Sequence, residues 1–141
     1  MAKLTLVRGL PGSGKSTYAK TLEGYKHFES DMFFVNDQGV YKYDIEYISV
    51  AHDWCYSNVV KELINGHNVV VSNTFCAMWE MDRYLDLLHL LEEPIKIVEL
   101  RTQFGSIHNV PADVVARMKN RWFDMDYDDP DNQYYTYEVI E

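Results

Sequence analysis

The sequence predicts an α/β fold, three layers deep, in which helices cover both faces of a parallel sheet of four to five strands. Three observations predict it. Apolar runs of strand length alternate along the chain with segments of helical periodicity. The run Val69-Val70-Val71 is continuous rather than alternating, which suits a strand buried on both faces. The first apolar run leads into a glycine-rich turn and then a helical segment, so the turn lies at the carboxyl end of a strand, where such sheets bind ligands.

Leu4-Thr5-Leu6-Val7 is the first strand, and Gly9 to Thr17 follow it as GLPGSGKST. Gly9, Gly14, Lys15 and Ser16 meet the P-loop pattern GxxxxGK[ST]. Glycine permits positive φ, which lets successive N–H groups turn toward one anion, and the helix that follows adds its own unpaired donors. Gly9, Pro11, Gly12, Ser13, Gly14, Lys15, Ser16 and Thr17 are therefore expected to cradle the phosphates of ATP. Lys15 would reach the β and γ phosphates, and the Ser16 hydroxyl would bind Mg²⁺. The fold class is accordingly that of the P-loop NTPases.

The helix from Lys15 to Leu22 is expected to end near Gly24, and Tyr25 to Glu29 form a second short strand running into Ser30-Asp31. Asp44 is the expected N-cap of an amphipathic helix carrying Ile45, Ile48, Cys55, Val59 and Leu63 as far as Gly66. Val69 to Val71 form the third strand, which delivers Ser72-Asn73-Thr74. Met78, Met81, Leu85 and Leu88 mark a helix stopped before Pro94, and Ile95 to Leu100 supply a fourth strand. Pro111 opens a last helix with Val114, Val115, Met118 and Trp122. Tyr134, Tyr135, Tyr137, Val139 and Ile140 form either a short further strand or an aromatic flap.

At 141 residues and 47% hydrophobic content the chain is expected to be one domain, residues 1–141, with an acidic, Tyr-rich tail from about 124 to 141. No stretch reaches the roughly 18 apolar residues of a membrane helix, and Met1-Ala2-Lys3 runs directly into the first strand without a signal peptide. A cytoplasmic protein with no membrane association and no obligate protein partner is expected. Cys55 and Cys76 lack metal-type spacing and are expected to be free thiols. Of the 22 acids, seven lie in residues 124–141, which hold no Lys or Arg, so the net charge of −9 belongs mostly to the tail. No Lys/Arg cluster suits a long nucleic acid, which leaves a nucleic-acid end or a small hydroxyl-bearing molecule as substrate.

Asp31 is the first acid after the second strand, where a carboxylate can orient an acceptor hydroxyl and take its proton; an N-cap or turn aspartate is the structural alternative. Asp37 lies in the plain turn Asn36-Asp37-Gln38-Gly39. Asn73 and Thr74 can reach a phosphate, metal-bound water or the acceptor, and Thr74 can equally cap the next helix. Arg101, His108, Arg117 and Arg121 are the bases available for transition-state charge, with Arg101 also placed to hold ATP, and Arg117 and Arg121 share a helical face. Surface solvation is the alternative for both of the latter. Thr102 to Pro111, with Gly105, can close as a lid and together with the last helix forms the short helical lid of the fold. His52 is expected to be a satisfied core histidine, and Trp54, Trp79 and Trp122 packing residues, unless an exposed one stacks on a base.

From about Leu4 to Met125 the chain resembles the P-loop kinases grouped around the kinase domain of polynucleotide kinase, an AAA-like set that includes zeta-toxin-type and small-molecule phosphotransferases. Glu29-Ser30-Asp31-Met32-Phe33-Phe34, Ala51-His52-Asp53-Trp54, Val71-Ser72-Asn73-Thr74-Phe75 and Ile107-His108-Asn109-Val110-Pro111, with Met118 and Arg121, carry the resemblance. It implies Asp31 as general base, Lys15 on phosphate, Ser16 on Mg²⁺ and a basic lid. Phe34 stands where nucleic-acid 5′-kinases of this kind often carry an arginine for the acceptor's phosphate, and Ser72 or Asn73 where they carry an aspartate. The expected activity is ATP-dependent transfer of the γ-phosphate to a hydroxyl, foremost a polynucleotide 5′-hydroxyl. The alternatives are a small-molecule kinase and a nucleotide-binding module without catalysis.

Overall fold

A computed structural model describes residues 2–101, 112–122, 132 and 134–141. Its elements are β1 (Leu4–Gly9), α1 (Lys15–Lys20), β2 (Tyr25–Phe28), α2 (Ile48–Ile64), β3 (Asn68–Ser72), α3 (Met78–Leu85), β4 (Ile95–Leu100), α4 (Ala112–Asn120) and β5 (Tyr135–Ile140). Single 3₁₀ turns occupy Ser30–Phe34, Ile45–Tyr47 and Asp86–Leu90. All strand pairings are parallel and the order is β2-β3-β1-β4-β5. The expected α/β class and parallel sheet are thus found, at five strands.

The alternation of side chains along β1 divides the core. Leu4 and Leu6 join Val69, Val71, Ile95 and Ile97 on one face, where α2 contributes Cys55, Val59 and Leu63 and α3 contributes Met81, Tyr84 and Leu85. Val7, Val70, Val98 and Leu100 face the other way, against Ala19 of α1. Val69, Val70 and Val71 have no exposed surface, as a central strand of β-branched residues requires. Burial of each such side chain stabilises the fold by about 1.5–3 kcal/mol.

Three local differences from the sequence reading have physical reasons. Asp44 does cap, with Oδ1 accepting from Glu46 N–H at 3.0 Å, but it starts the 3₁₀ turn out of which α2 grows. Thr74 is not a helix cap, because α3 begins after Ala77, whose N–H is taken by the Glu80 carboxylate at 3.3 Å. The chain's last segment is a strand rather than a flap: β5 pairs with all six residues of β4, and Lys96 Nζ meets Glu138 at 3.1 Å across the ladder. Trp79 is 70% exposed and does not pack, unlike Trp54 against Phe33 and Trp122 under Arg8. Cys55 and Cys76 are free and buried. Among the described residues no helix is long and apolar enough to cross a membrane.

A charged group lies inside this core. Arg8 on β1 and Glu99 on β4 pair at 3.1 Å with side chains 0% and 2% exposed, and Arg8 also donates to the Phe75 carbonyl from Nε and Nη2. Glu99 accepts in turn from Arg101 Nε at 2.6 Å. Removing one partner of a buried pair strands the other charge, so Glu99→Ala is expected to destabilise the chain by about 3–5 kcal/mol in urea unfolding. Loss of half-exposed Glu138 opposite Lys96 should cost under about 1 kcal/mol.

Candidate active site

The carboxyl ends of β1, β2, β3 and β4 deliver the residues with chemical potential to one edge of the sheet. The loop after β1 turns on Gly12 (φ 84°) and Gly14 (φ 89°), both in the left-handed region. Gly9 is buried, and a Cβ there would collide with the Ser13 hydroxyl and come within 3.0 Å of the Leu100 carbonyl. Gly9 N–H donates to the Thr74 carbonyl at 3.3 Å and Asn73 N–H to Val7 at 3.2 Å, which ties the loop to the end of β3. The start of α1 has no side-chain cap, so its N–H groups remain available to a ligand. Ser13 Oγ is buried without a hydrogen-bond partner among the described residues.

Lys15 Nζ donates to the Leu10 carbonyl at 3.1 Å, within the loop. Burial pushes its pKa down to about 8, against the raising pull of Glu29 and Asp31. Both carboxylates therefore act on the ammonium that the loop holds. Ser16 Oγ–H donates to Glu29 Oε1. Burial alone would raise the Glu29 carboxyl, yet hydrogen bonds from His27 and Ser16, with the charge of His27, hold it below the ordinary carboxylate range.

Asp31 follows β2 in the turn Ser30–Phe34, exposed, and accepts from Tyr41 O–H at 3.5 Å. Burial and the charge of Asp31 push the Tyr41 pKa up to about 12. Asn73 holds this turn from beneath: its Oδ1 accepts from Ser30 N–H at 2.9 Å, and its Nδ2 is buried without a partner. Ser30 Oγ and His52 Nδ1 lie 2.9 Å apart, so His52 is the satisfied histidine its position suggested. Phe34 is buried edge-on to Phe33 and beside Tyr41 and Tyr43. Asp37 lies in a plain turn whose Asn36 Oδ1 accepts from Gln38 and Val40.

The basic residues separate. Arg101 is engaged by Glu99 and by Glu141 at 3.2 Å. Arg117 pairs with Asp113 one helical turn away, both exposed. Arg121 is exposed just after α4, and its charge, like those of Arg8 and Lys15, acts on the Cys76 thiol, which burial pushes up. His108, the segment Thr102–Pro111 with Gly105, Met125 and the acidic stretch 124–131 lie outside the described residues. Pro11 and Thr17 flank the cradle, half-buried and exposed. Sequence reasoning did not single out Glu29, His27 or Tyr41 as site residues. Glu29 did carry a signal, as the first acid at the end of β2.

Residues 4–107 match the family described as AAA domain. The chain is 35% identical over 133 residues to NEDD4-binding protein 2 of Homo sapiens, over 82% of this chain and 7% of that protein. It thus spans about 7% of the length of this curated relative. Among solved structures it is similar to a gluconokinase from Sinorhizobium meliloti 1021, with TM-score 0.60 and 16% identity over 98% of this chain and 82% of that one. A sugar kinase from Janibacter sp. HTCC2649 gives TM-score 0.66 at 14% identity, covering 99% and 85%. The Pnkp1/Rnl/Hen1 complex gives 0.54 at 21% identity, covering 94% and 44%. At these identities the likeness is one of fold.

The Asn73–Ser30 bond is the support of the turn that carries Asp31. Asn73→Ala leaves the buried Ser30 N–H without its acceptor and is expected to cost about 1–3 kcal/mol in denaturant unfolding.

Proposed function

The chain belongs to the AAA-domain family and has the P-loop kinase fold, and on that footing we propose that it is an ATP-dependent kinase moving the γ-phosphate to an acceptor hydroxyl, foremost a polynucleotide 5′-hydroxyl. The observation that carries the reading is the placement of two carboxylates, Glu29 and Asp31, around the loop that presents Lys15 and Ser16. The loop amides and Lys15 hold the phosphates. Asp31 orients the acceptor hydroxyl and takes its proton as the new O–P bond forms and ADP departs. Arg121 is assigned to developing phosphoryl charge, because its charge acts together with that of Lys15 on the Cys76 thiol. Tyr41 steadies the Asp31 carboxylate.

The donors fit Mg²⁺: Ser16 Oγ and the Glu29 carboxylate are hard oxygen ligands in contact with each other. Among the described residues no group of three or more His, Cys, Asp or Glu could hold a metal on its own, so the ion would share the nucleotide's phosphates and water. When bound, Mg²⁺ neutralises charge between the β and γ phosphates.

A small-molecule kinase is the second reading. It is favoured by a cavity of about 340 Å³ lined by Phe33, Phe34, Val35, Asn36, Lys42, Asp44 and Tyr47, in the segment that follows Asp31, which offers the single cation of Lys42 to an acceptor's phosphate. Labelled ATP with a 5′-hydroxyl oligonucleotide, nucleosides and sugars in parallel separates the two, and faster labelling of a free nucleoside or sugar would reverse the order.

Asp31→Asn is expected to leave ATP affinity unchanged and lower turnover at least about a hundredfold; wild-type turnover would remove Asp31 from the base role. Lys15 sets a pH signature. A polyphosphate favours the charged ammonium, and the free chain loses that charge near pH 8. ATP affinity should therefore be flat below about pH 8 and fall as pH rises above it, with proton uptake on binding seen by calorimetry in buffers of different ionisation enthalpy. Lys15→Arg should flatten the profile, because guanidinium stays charged.

A further inference from the structure

P-loop enzymes hold Mg²⁺ with the loop Ser or Thr and an aspartate from the strand beside the loop strand. Here β3 is that strand, since Leu4 to Val7 of β1 pair with Val69 to Ser72, and it ends in Ser72, Asn73 and Thr74 without an acid. The carboxylate that touches Ser16 comes from one strand farther out. Phe28 of β2 stands opposite Val71 of β3, so Glu29 follows beside Ser72, and it reaches across the end of β3 to accept from Ser16 Oγ. His27 Nε2 lies 2.6 Å from Ser72 Oγ and 3.1 Å from Glu29 Oε1, binding the three side chains into one group.

We propose that Glu29 is the magnesium-orienting carboxylate of this chain, transferred from the end of β3 to the end of β2, with Ser72 and His27 as its positioning residues. A hydroxyl that donates its proton to a carboxylate turns its lone pairs away from that carboxylate, toward a cation. The Ser16–Glu29 contact is therefore compatible with an ion on Ser16 and orients the oxygen for it. Asp31 stays free of this task, exposed on the acceptor side beside Tyr41. The two carboxylates of Glu29-Ser30-Asp31 thus divide the work, one toward the metal and one toward the acceptor. Ser72 serves because a hydroxyl can bond His27 without adding a second negative charge beside Glu29.

This inference rests on the reading of the loop as an Mg²⁺–nucleotide site, and its test is built to separate the two. ADP binding is measured by calorimetry without metal, and Mn²⁺ uptake by the ADP complex is measured by electron paramagnetic resonance. The proteins are wild type, Glu29→Gln, Glu29→Asp and the double variant Glu29→Gln/Ser72→Asp, each first checked by thermal melting. Glu29→Gln should bind metal-free ADP at least as well as wild type, since a negative charge near the phosphates is gone, while Mn²⁺ affinity in the complex falls about tenfold or more. Glu29→Asp should lie between the two. In the double variant the acid returns to β3, and Mn²⁺ affinity should recover most of the loss. Wild-type Mn²⁺ affinity in Glu29→Gln, with ADP bound, overturns the assignment, and a double variant as weak as Glu29→Gln overturns the transfer from β3. If the wild-type chain binds no ADP, the nucleotide site itself falls, and the inference with it.

Discussion

The constraint on which the structure depends is the position of β1. It lies between β3 and β4, paired over Leu4 to Val7 with the one and over Thr5 to Gly9 with the other, and with helices over both faces, so its backbone is committed to the sheet. Only at its carboxyl end does the chain leave the ladder, and there the amides of the glycine-rich turn become available to a ligand. Gly9 is the point of departure. Its lack of a side chain allows Ser13 to fold back against it and the Leu100 carbonyl to pass close by.

Charge is arranged around that point in two groups. On the β4 side, Glu99 bridges buried Arg8 and half-exposed Arg101, and the Arg8 guanidinium lies 4.0 Å from the centre of the Trp122 ring. Such a pair stabilises little in net terms, because desolvation offsets most of the attraction, yet it fixes which carboxylate meets which base. On the β2 side, the charges of Glu29 and Asp31 act on Lys15, which burial brings to titrate near pH 8, so that it loses its charge at mildly basic pH. A group held near its titration point by burial is one whose charge a bound polyanion restores.

The segment that follows Asp31 is built differently. A hairpin joined by the bridge of Val35 and Tyr41 carries Phe34, Tyr41 and Tyr43 as a cluster of rings at 5.2 to 6.2 Å, and Tyr41 hydrogen-bonds Asp31. Residues Val35 to Val50 are all exposed, including Tyr41, Tyr43, Ile45 and Tyr47. Phe34 turns inward among these rings. Between Val35 and Val50 the surface is aromatic and its one basic residue is Lys42.

The sequence by itself determined the class of fold, the order of its elements and the glycine-rich turn between β1 and α1, because each depends on local chemistry: apolar periodicity, glycine at left-handed positions, and a strand-turn-helix order within some twenty residues. The place of Asp31, in the turn that follows β2, was legible for the same reason. The role open to Glu29 was not, since it depends on β2 lying beside β3 in a register that sets Phe28 against Val71, a pairing made across forty-three residues of chain. The separate fates of Arg101, Arg117 and Arg121 were hidden likewise. Their spacing put them on one segment, but Glu99 and Glu141 engage Arg101 and Asp113 engages Arg117, pairings that the spacing does not reveal. Which side chains meet at a sheet edge is decided by strand order and register, and these are properties of the whole core rather than of any stretch of sequence.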